Sequence, residues 1–70
     1  MSTITRIAAA DFDNLGAELC RETFRNGKER FVVYFTDGGF EYTEGVFKKD
    51  TDAKVCYNTL VYALEAGWRP

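Results

Sequence analysis

The sequence predicts one α+β domain over residues 1–70, in which a small antiparallel sheet packs against a C-terminal helix and an N-terminal helix. Two observations predict it. Residues 28–47 form two β-like runs around an Asp-Gly-Gly turn, and apolar residues at about 51–66 recur every three or four positions. Because so short a chain buries only about 60% of its unfolded surface, there is room for one small core.

The N-terminal helix is predicted at about residues 11–25. Asp11 is a suitable N-cap, Glu and Arg residues follow one another at i,i+3 spacing, and Asn26-Gly27 ends the segment. In this interpretation residues 3–8 form a short strand. The apolar face of the helix would consist of Phe12, Leu15, Gly16, Leu19, Cys20 and Thr23.

A strand is the alternative for the same segment. Asn26-Gly27 would then be a two-residue hairpin loop that joins residues 19–25 to residues 28–36. Glu22 would interrupt the apolar face of that strand, and residues 3–8 would form the first helix. We favour the N-terminal helix because its apolar stripe is cleaner and its charges pair.

The predicted hairpin of residues 28–47 lies at the centre of the sheet. The glycines after Asp37 supply the positive φ that a tight turn needs. Residues 28–36 are apolar on both faces, as in a central strand, whereas residues 40–47 mix aromatic residues with glutamates, as in an edge or half-exposed strand. Strict alternation places Phe40, Tyr42 and Val46 on one face of the second strand.

The C-terminal helix, at about residues 51–66, has the clearest pattern. Asp50 or Thr51 is a suitable N-cap, and Asp52 places negative charge in the first turn, where the helix dipole favours it. Gly67 ends the helix. The apolar stripe consists of Ala53, Cys56, Tyr57, Leu60, Ala63 and Leu64.

The sequence contains no recognisable catalytic set and no metal-ligand pattern. Histidine, the usual general acid or base near neutral pH and a common metal ligand, is absent. Cys20 and Cys56 have no histidine to activate them, and each lies on the apolar stripe of a predicted helix, as a buried structural thiol would. Helix caps and solvated faces explain two close carboxylate pairs, Asp11 with Asp13 and Asp50 with Asp52. We therefore predict a protein that is not an enzyme and holds no cofactor or metal.

Charge and hydropathy restrict the partners and the compartment. A net charge of −2 and a pI of about 5.0 argue against general nucleic-acid binding, which normally requires a basic excess. No run of about 18 apolar residues is present, so we expect no membrane association. The first residues lack the pattern of a signal peptide, and both cysteines are expected to stay reduced. A cytoplasmic protein is predicted.

A surface rich in tyrosine and carboxylate is the predicted site of contact with a partner. Tyrosine and tryptophan are favoured at interfaces because they offer a large contact area at a low cost in rotamer entropy. The neighbouring acids suit a basic partner, including the nucleic-acid-binding groove of another protein. The predicted partner-binding residues are Tyr34, Glu41, Tyr42, Thr43, Glu44 and Trp68.

In size, acidity and lack of catalytic residues the chain is similar to small phage-encoded inhibitors such as anti-CRISPR proteins. The similarity is one of general character, with no shared motif. It implies a non-enzymatic inhibitor that acts in the cytoplasm of a host cell. Its partner would be a host protein, including a nucleic-acid-binding complex.

Direct nucleic-acid binding is the second hypothesis. If residues 19–25 are a strand, the order helix, three strands, helix resembles the double-stranded-RNA-binding domain, and residues 48–54 fall where that family has a lysine-rich helix start. Asp50 and Asp52 depart from the family pattern and would repel phosphate. The basic residues concerned are Arg21, Arg25, Lys28, Arg30, Lys48 and Lys49.

A homodimer is a further expectation. If residues 40–47 are an exposed edge strand, their free backbone groups could pair with those of a second copy. Glu41 and Glu44 oppose this, because a two-fold contact would bring them close to their own counterparts. The number of aromatic rings, which exceeds what a small core needs, favours the dimer slightly.

Overall fold

The computed structural model describes residues 2–70 and shows a four-stranded antiparallel sheet followed by one helix. The sheet order β1-β2-β3-β4 is the order along the chain, so each strand pairs with its neighbour in sequence. The molecule is therefore a β-meander with a helix on one face, a small α+β fold. The elements are β1 (Ser2–Phe12), β2 (Leu15–Phe24), β3 (Glu29–Asp37), β4 (Phe40–Phe47) and α1 (Asp50–Glu65).

The predicted helix at residues 11–25 is wrong, because most of this segment is strand β2. Residues 15–20 are almost continuously buried, as in a strand with neighbours on both sides and apolar contacts on both faces. The turn after β2 is a hairpin turn, in which the Gly27 N–H donates to the Phe24 carbonyl oxygen at 2.9 Å and φ of Gly27 is +87°. The alternative is confirmed in its strand and hairpin, because β2 pairs antiparallel with β3, but its helix at residues 3–8 is wrong, because these residues are part of β1.

The charges that seemed to support the N-terminal helix pair across strands instead. Glu18 pairs with Arg6 of β1 at 3.8 Å. Glu22 accepts a hydrogen bond from Arg30 Nε of β3 and another from the Ser2 hydroxyl. Residues that are three apart on a helix surface point to opposite faces of a strand, so the expected i,i+3 pairs do not form.

Within the sheet, β2 and β3 are the central strands and β4 is an edge. The hairpin of residues 28–47 is therefore one half of the sheet rather than its centre. The predicted face of β4 is also wrong. Glu44 is an extra residue between the pairs Tyr34–Thr43 and Val33–Gly45, and this bulge reverses the alternation. Tyr42 consequently faces α1, and Val46 faces the other side.

Helix α1 begins at Asp50, with Lys49 at the N-cap position and no side-chain cap. Neither Asp50 nor Thr51 is the cap, in contrast to the prediction. At the other end the Gly67 N–H donates to the Leu64 carbonyl oxygen and the Trp68 N–H to that of Ala63, which is a Schellman motif with φ of Gly67 at +96°. The motif turns Trp68 back towards the sheet.

The core lies between α1 and the sheet. Residues of α1 pack there on both central strands. Ile4 and Ile7 of β1 stay exposed; Ile4 is opposite Glu22 on the side away from the helix, and Ile7 lies at a register shift between Arg6 and Ala8. The buried residues on the side that carries α1 are Leu15, Ala17, Leu19, Val33, Phe35, Ala53 and Leu64.

The opposite side of the sheet, which we call the open face, has no helix over it among residues 2–70. Cys20 and Val32 are nevertheless almost fully buried there. They are neighbours across β2 and β3, with Arg6 directly opposite Cys20 on β1. The ion pairs Arg6–Glu18 and Arg30–Glu22 lie on either side of them. The aliphatic parts of these long side chains can shelter an apolar strip without a second layer.

Candidate partner-binding surface

The six predicted partner-binding residues lie on two sides of the sheet. Thr43 is opposite Tyr34, and Glu41 is opposite Thr36, so Tyr34, Glu41 and Thr43 belong to the open face. The other three belong to the side that carries α1. Tyr42 stacks on Phe35 with ring centroids 6.1 Å apart, Trp68 meets the same ring edge-on at 5.9 Å, and Glu44 faces the helix.

The two groups meet along the free edge of β4. Every residue from Phe40 to Glu44 is exposed, including Phe40 at 68% and Tyr42 at 52%, and Trp68 beside them is 47% exposed. We call Phe40–Glu44 together with Trp68 the edge surface. Sequence analysis missed Phe40, although its position two residues before Tyr42 was a usable signal.

The bulge in β4 brings two consecutive residues, Glu44 and Gly45, to the side of the sheet that carries α1. Glu44 faces α1 because it is two residues after Tyr42, and Gly45 pairs with Val33, which also faces α1. Gly45 follows Glu44 because the Phe47 ring lies over this position, where a Cβ would be only 2.6 Å from a ring carbon. Glycine at residue 45 thus allows the bulge and the ring to coexist.

A groove of about 350 Å³ runs between β4 and α1 beside the edge surface. Its helical side is a stripe of small and apolar residues, and Glu44 stands on its other side. The Thr59 hydroxyl donates to the Val55 carbonyl oxygen at 2.8 Å and is therefore satisfied within the helix. Burial raises the pKa of the Cys56 thiol, and the charge of Glu44 raises it further. The groove is lined by Glu44, Cys56, Thr59, Leu60, Ala63 and Trp68.

A second, acidic depression of about 460 Å³ lies on the open face at the end where the β1–β2 and β3–β4 turns meet. Gly16 lies beside it, where a Cβ would be 2.6 Å from Thr36 Oγ1, so glycine keeps the surface concave. Burial raises the pKa of the nearby Tyr34 hydroxyl, with a further contribution from Glu41, so the phenol stays protonated at neutral pH. The carboxylates around the depression are Asp11, Asp13, Glu18 and Glu41.

The basic residues of the second hypothesis are concentrated at the opposite end, around the β2–β3 turn. Arg21 pairs with Glu29 at 3.5 Å, and Arg30 pairs with Glu22 and lies over the Phe24 ring, 5.4 Å from its centroid. These pairs partly neutralise the cluster. Residues 2–70 form four strands followed by one helix, which differs from the expected order of helix, three strands and helix.

The metal-ligand search, the two cysteines and the comparisons with known proteins complete the description of residues 2–70. Residues 2–70 contain no group of three side chains suited to hold a metal ion. Cys20 and Cys56 are free thiols on opposite sides of the sheet, and burial is the main cause that raises the pKa of Cys20. No helix in residues 2–70 has the length and hydropathy needed to cross a membrane. Comparison with protein-family models, curated proteins and solved structures found no match.

Proposed function

We propose that this chain is a non-enzymatic module that binds another protein through the edge surface. One observation carries the proposal: five consecutive residues of an edge strand, Phe40–Glu44, are exposed and combine large aromatic rings with two carboxylates. Solvent-exposed rings beside an unpaired strand edge are costly for a monomer to display, because they promote self-association. Contact with a partner is a functional reason for a protein to keep such exposed rings, because aromatic residues are enriched at interfaces.

The partner should present a basic surface. Glu41 and Glu44 lie on the edge surface itself, and the acidic depression continues the negative charge from Glu41 across the open face. Complementary charge accelerates encounter and selects the partner. A groove that binds nucleic acid in a host protein has this character, so the chain would act as an inhibitor of such a protein, as phage or mobile-element proteins do. The encounter would take place in the host cytoplasm, where the two free thiols remain reduced.

Nucleic acid itself fits the molecule less well. The same carboxylates that attract a basic protein repel phosphate. Two of the six candidate basic side chains, Arg21 and Arg30, are already paired with glutamates. Any binding of nucleic acid would therefore depend on the remaining cations at one end of the sheet.

The experiment is a pull-down from bacterial lysate that compares Tyr42→Ala with Tyr62→Ala. Both changes delete an exposed tyrosine, but Tyr62 lies on the outer side of α1, away from the edge surface. We expect a captured protein to be lost with Tyr42→Ala and kept with Tyr62→Ala, since truncating an interface anchor costs about 2 kcal/mol or more.

A second measurement tests the inhibitor role. Purified partner is loaded with its nucleic acid, and the chain is added at increasing concentration. Displacement by the natural protein but not by Tyr42→Ala supports the proposal. The proposal would be contradicted if both tyrosine variants captured the partner equally well. It would also be contradicted if the chain bound DNA or RNA directly, with an affinity that falls steeply as salt rises.

A further inference from the structure

We propose that the free edge of β4 binds an extended peptide segment of the partner as a fifth strand. One large apolar side chain of that segment would enter the groove between β4 and α1, and a lysine or arginine next to it, which points to the open face, would meet Glu41. This inference rests on the proposed function and specifies its mode of recognition. Strand addition gains affinity from main-chain hydrogen bonds and specificity from pockets for alternate side chains.

The strand edge is available. In residues 2–70 β4 pairs only with β3, so the backbone groups on its outer edge have no strand partner. The other sheet edge, β1, has a register shift of its own between Arg6 and Ala8, and it is less suitable because α1 lies mainly over the other three strands. In β4 the bulge at Glu44 leaves Phe40–Thr43 as a regular stretch before it.

The groove lies where a side chain of an added strand would point. Successive side chains of a strand alternate between the two faces of the sheet, so every second side chain of a strand next to β4 faces the α1 side. On that side the groove offers Leu60, Ala63 and the Trp68 ring as apolar contacts. The one hydroxyl group in the groove lining, that of Thr59, already donates to the Val55 carbonyl oxygen. An aliphatic or aromatic side chain is the complementary occupant.

Charge specifies the neighbouring residue. None of the ion pairs formed within residues 2–70 uses Glu41 or Glu44, so both carboxylates are open to a cation from outside. They point to opposite faces of the sheet, and an extended chain with basic residues can meet both. A second copy of this chain is a poor occupant, because it would place Glu41 and Glu44 near their own counterparts.

The test uses a synthetic peptide of alternating leucine and lysine. Trp68 is the only tryptophan, so its emission reports filling of the groove. Alkylation of Cys56, which lines the groove, should slow when the peptide binds, while Cys20 on the open face serves as the internal reference. Glu41→Lys should weaken binding several-fold, because Glu41 is on the face to which the peptide lysines point, and the matched change Glu65→Lys on α1 should not.

Two N-methylated peptides test the backbone pairing. N-methyl groups on the leucines block the donors of one peptide edge, and N-methyl groups on the lysines block those of the other. Strand addition uses one edge only, so we expect one methylated peptide to bind about tenfold or more weakly and the other to bind normally. Equal binding of both, or no Trp68 change with any of the peptides, would overturn strand addition. A partner still captured in the Tyr42-dependent pull-down would show that the proposed function survives that failure.

Discussion

Replacing Leu64 by alanine should remove a large share of the domain's stability. Leu64 is only 2% exposed and attaches the last turn of α1 to the sheet, where it packs with Leu15, Ala17 and Phe35. Truncation deletes its buried methyl and methylene groups and leaves a cavity that a small, closely packed core cannot fill. The helix would then have a weaker hold on the end of the sheet that carries Trp68.

The magnitude follows from the burial. Leu→Ala changes at fully buried sites cost about 2–5 kcal/mol. A domain of 70 residues has a free energy of unfolding of about 4–10 kcal/mol, at roughly 0.05–0.15 kcal/mol per residue. The variant should therefore lose about a fifth or more of its stability. Since 1 kcal/mol shifts the Tm of so small a domain by about 4–8 °C, a fall in Tm of about 8–40 °C is expected.

Thermal unfolding followed by circular dichroism measures this, with urea unfolding to check that the m-value is unchanged. The matched control is Val55→Ala, which shortens a side chain of the same helix that is 67% exposed. That control should stay within about 0.5 kcal/mol of the natural chain. If Leu64→Ala unfolds within a few degrees of Val55→Ala, α1 is not held to the sheet through Leu64, and the packing described for this end of the core is wrong.

Three further predictions concern the thiols, the acid limit of stability and self-association. At neutral pH both cysteines should react with iodoacetamide more slowly than in the urea-unfolded chain, because burial raises both thiol pKa values. Cys56 should react faster than the more buried Cys20, and rates equal to those of the unfolded chain would contradict this prediction. Hydrogen bonds from Ser2 and Arg30 lower the pKa of Glu22, so the stabilising effect of this carboxylate is present above its ordinary pKa of 4.5 and is lost as the pH falls through the lowered pKa. In Glu22→Gln the Tm should therefore fall less steeply at acid pH than in the natural chain. Equally steep declines in both proteins would refute this role of Glu22. If the homodimer forms through β4, added salt should screen the carboxylates and raise the mass seen by light scattering, whereas a mass of 8.0 kDa at every salt and protein concentration would exclude the dimer.

The candidate site was only partly predictable from sequence. Of the six residues named from their types, four lie on β4, Trp68 lies on the Phe35 ring and Tyr34 lies on β3, and alternation alone could not divide them between the two faces. The bulge at Glu44 moves every later residue of β4 to the other face, and nothing in the local pattern announces it. The groove likewise combines Glu44 and Trp68 with a stripe of α1, which are distant in sequence.

The sequence by itself determined the elements whose signals are local. The Asp-Gly-Gly turn, the apolar run before it, the three- and four-residue spacing of the last helix and the stop at Gly67 each act within a few residues, through backbone φ or helix periodicity. The absence of histidine is likewise a property of composition alone.

Only the tertiary structure decided the state of residues 11–25. The apolar residues of this segment fit the repeat of a helix as well as that of a strand. Leu15 and Leu19 would lie on one face of a helix, and together with Ala17 they lie on one face of a strand. The strand forms because β1 and β3 on its two sides satisfy its backbone groups, α1 covers one face, and long cross-strand side chains shelter Cys20 on the other. These contacts exist only after distant segments have come together, and they outweigh local helix propensity and i,i+3 charge pairs worth a few tenths of a kcal/mol each.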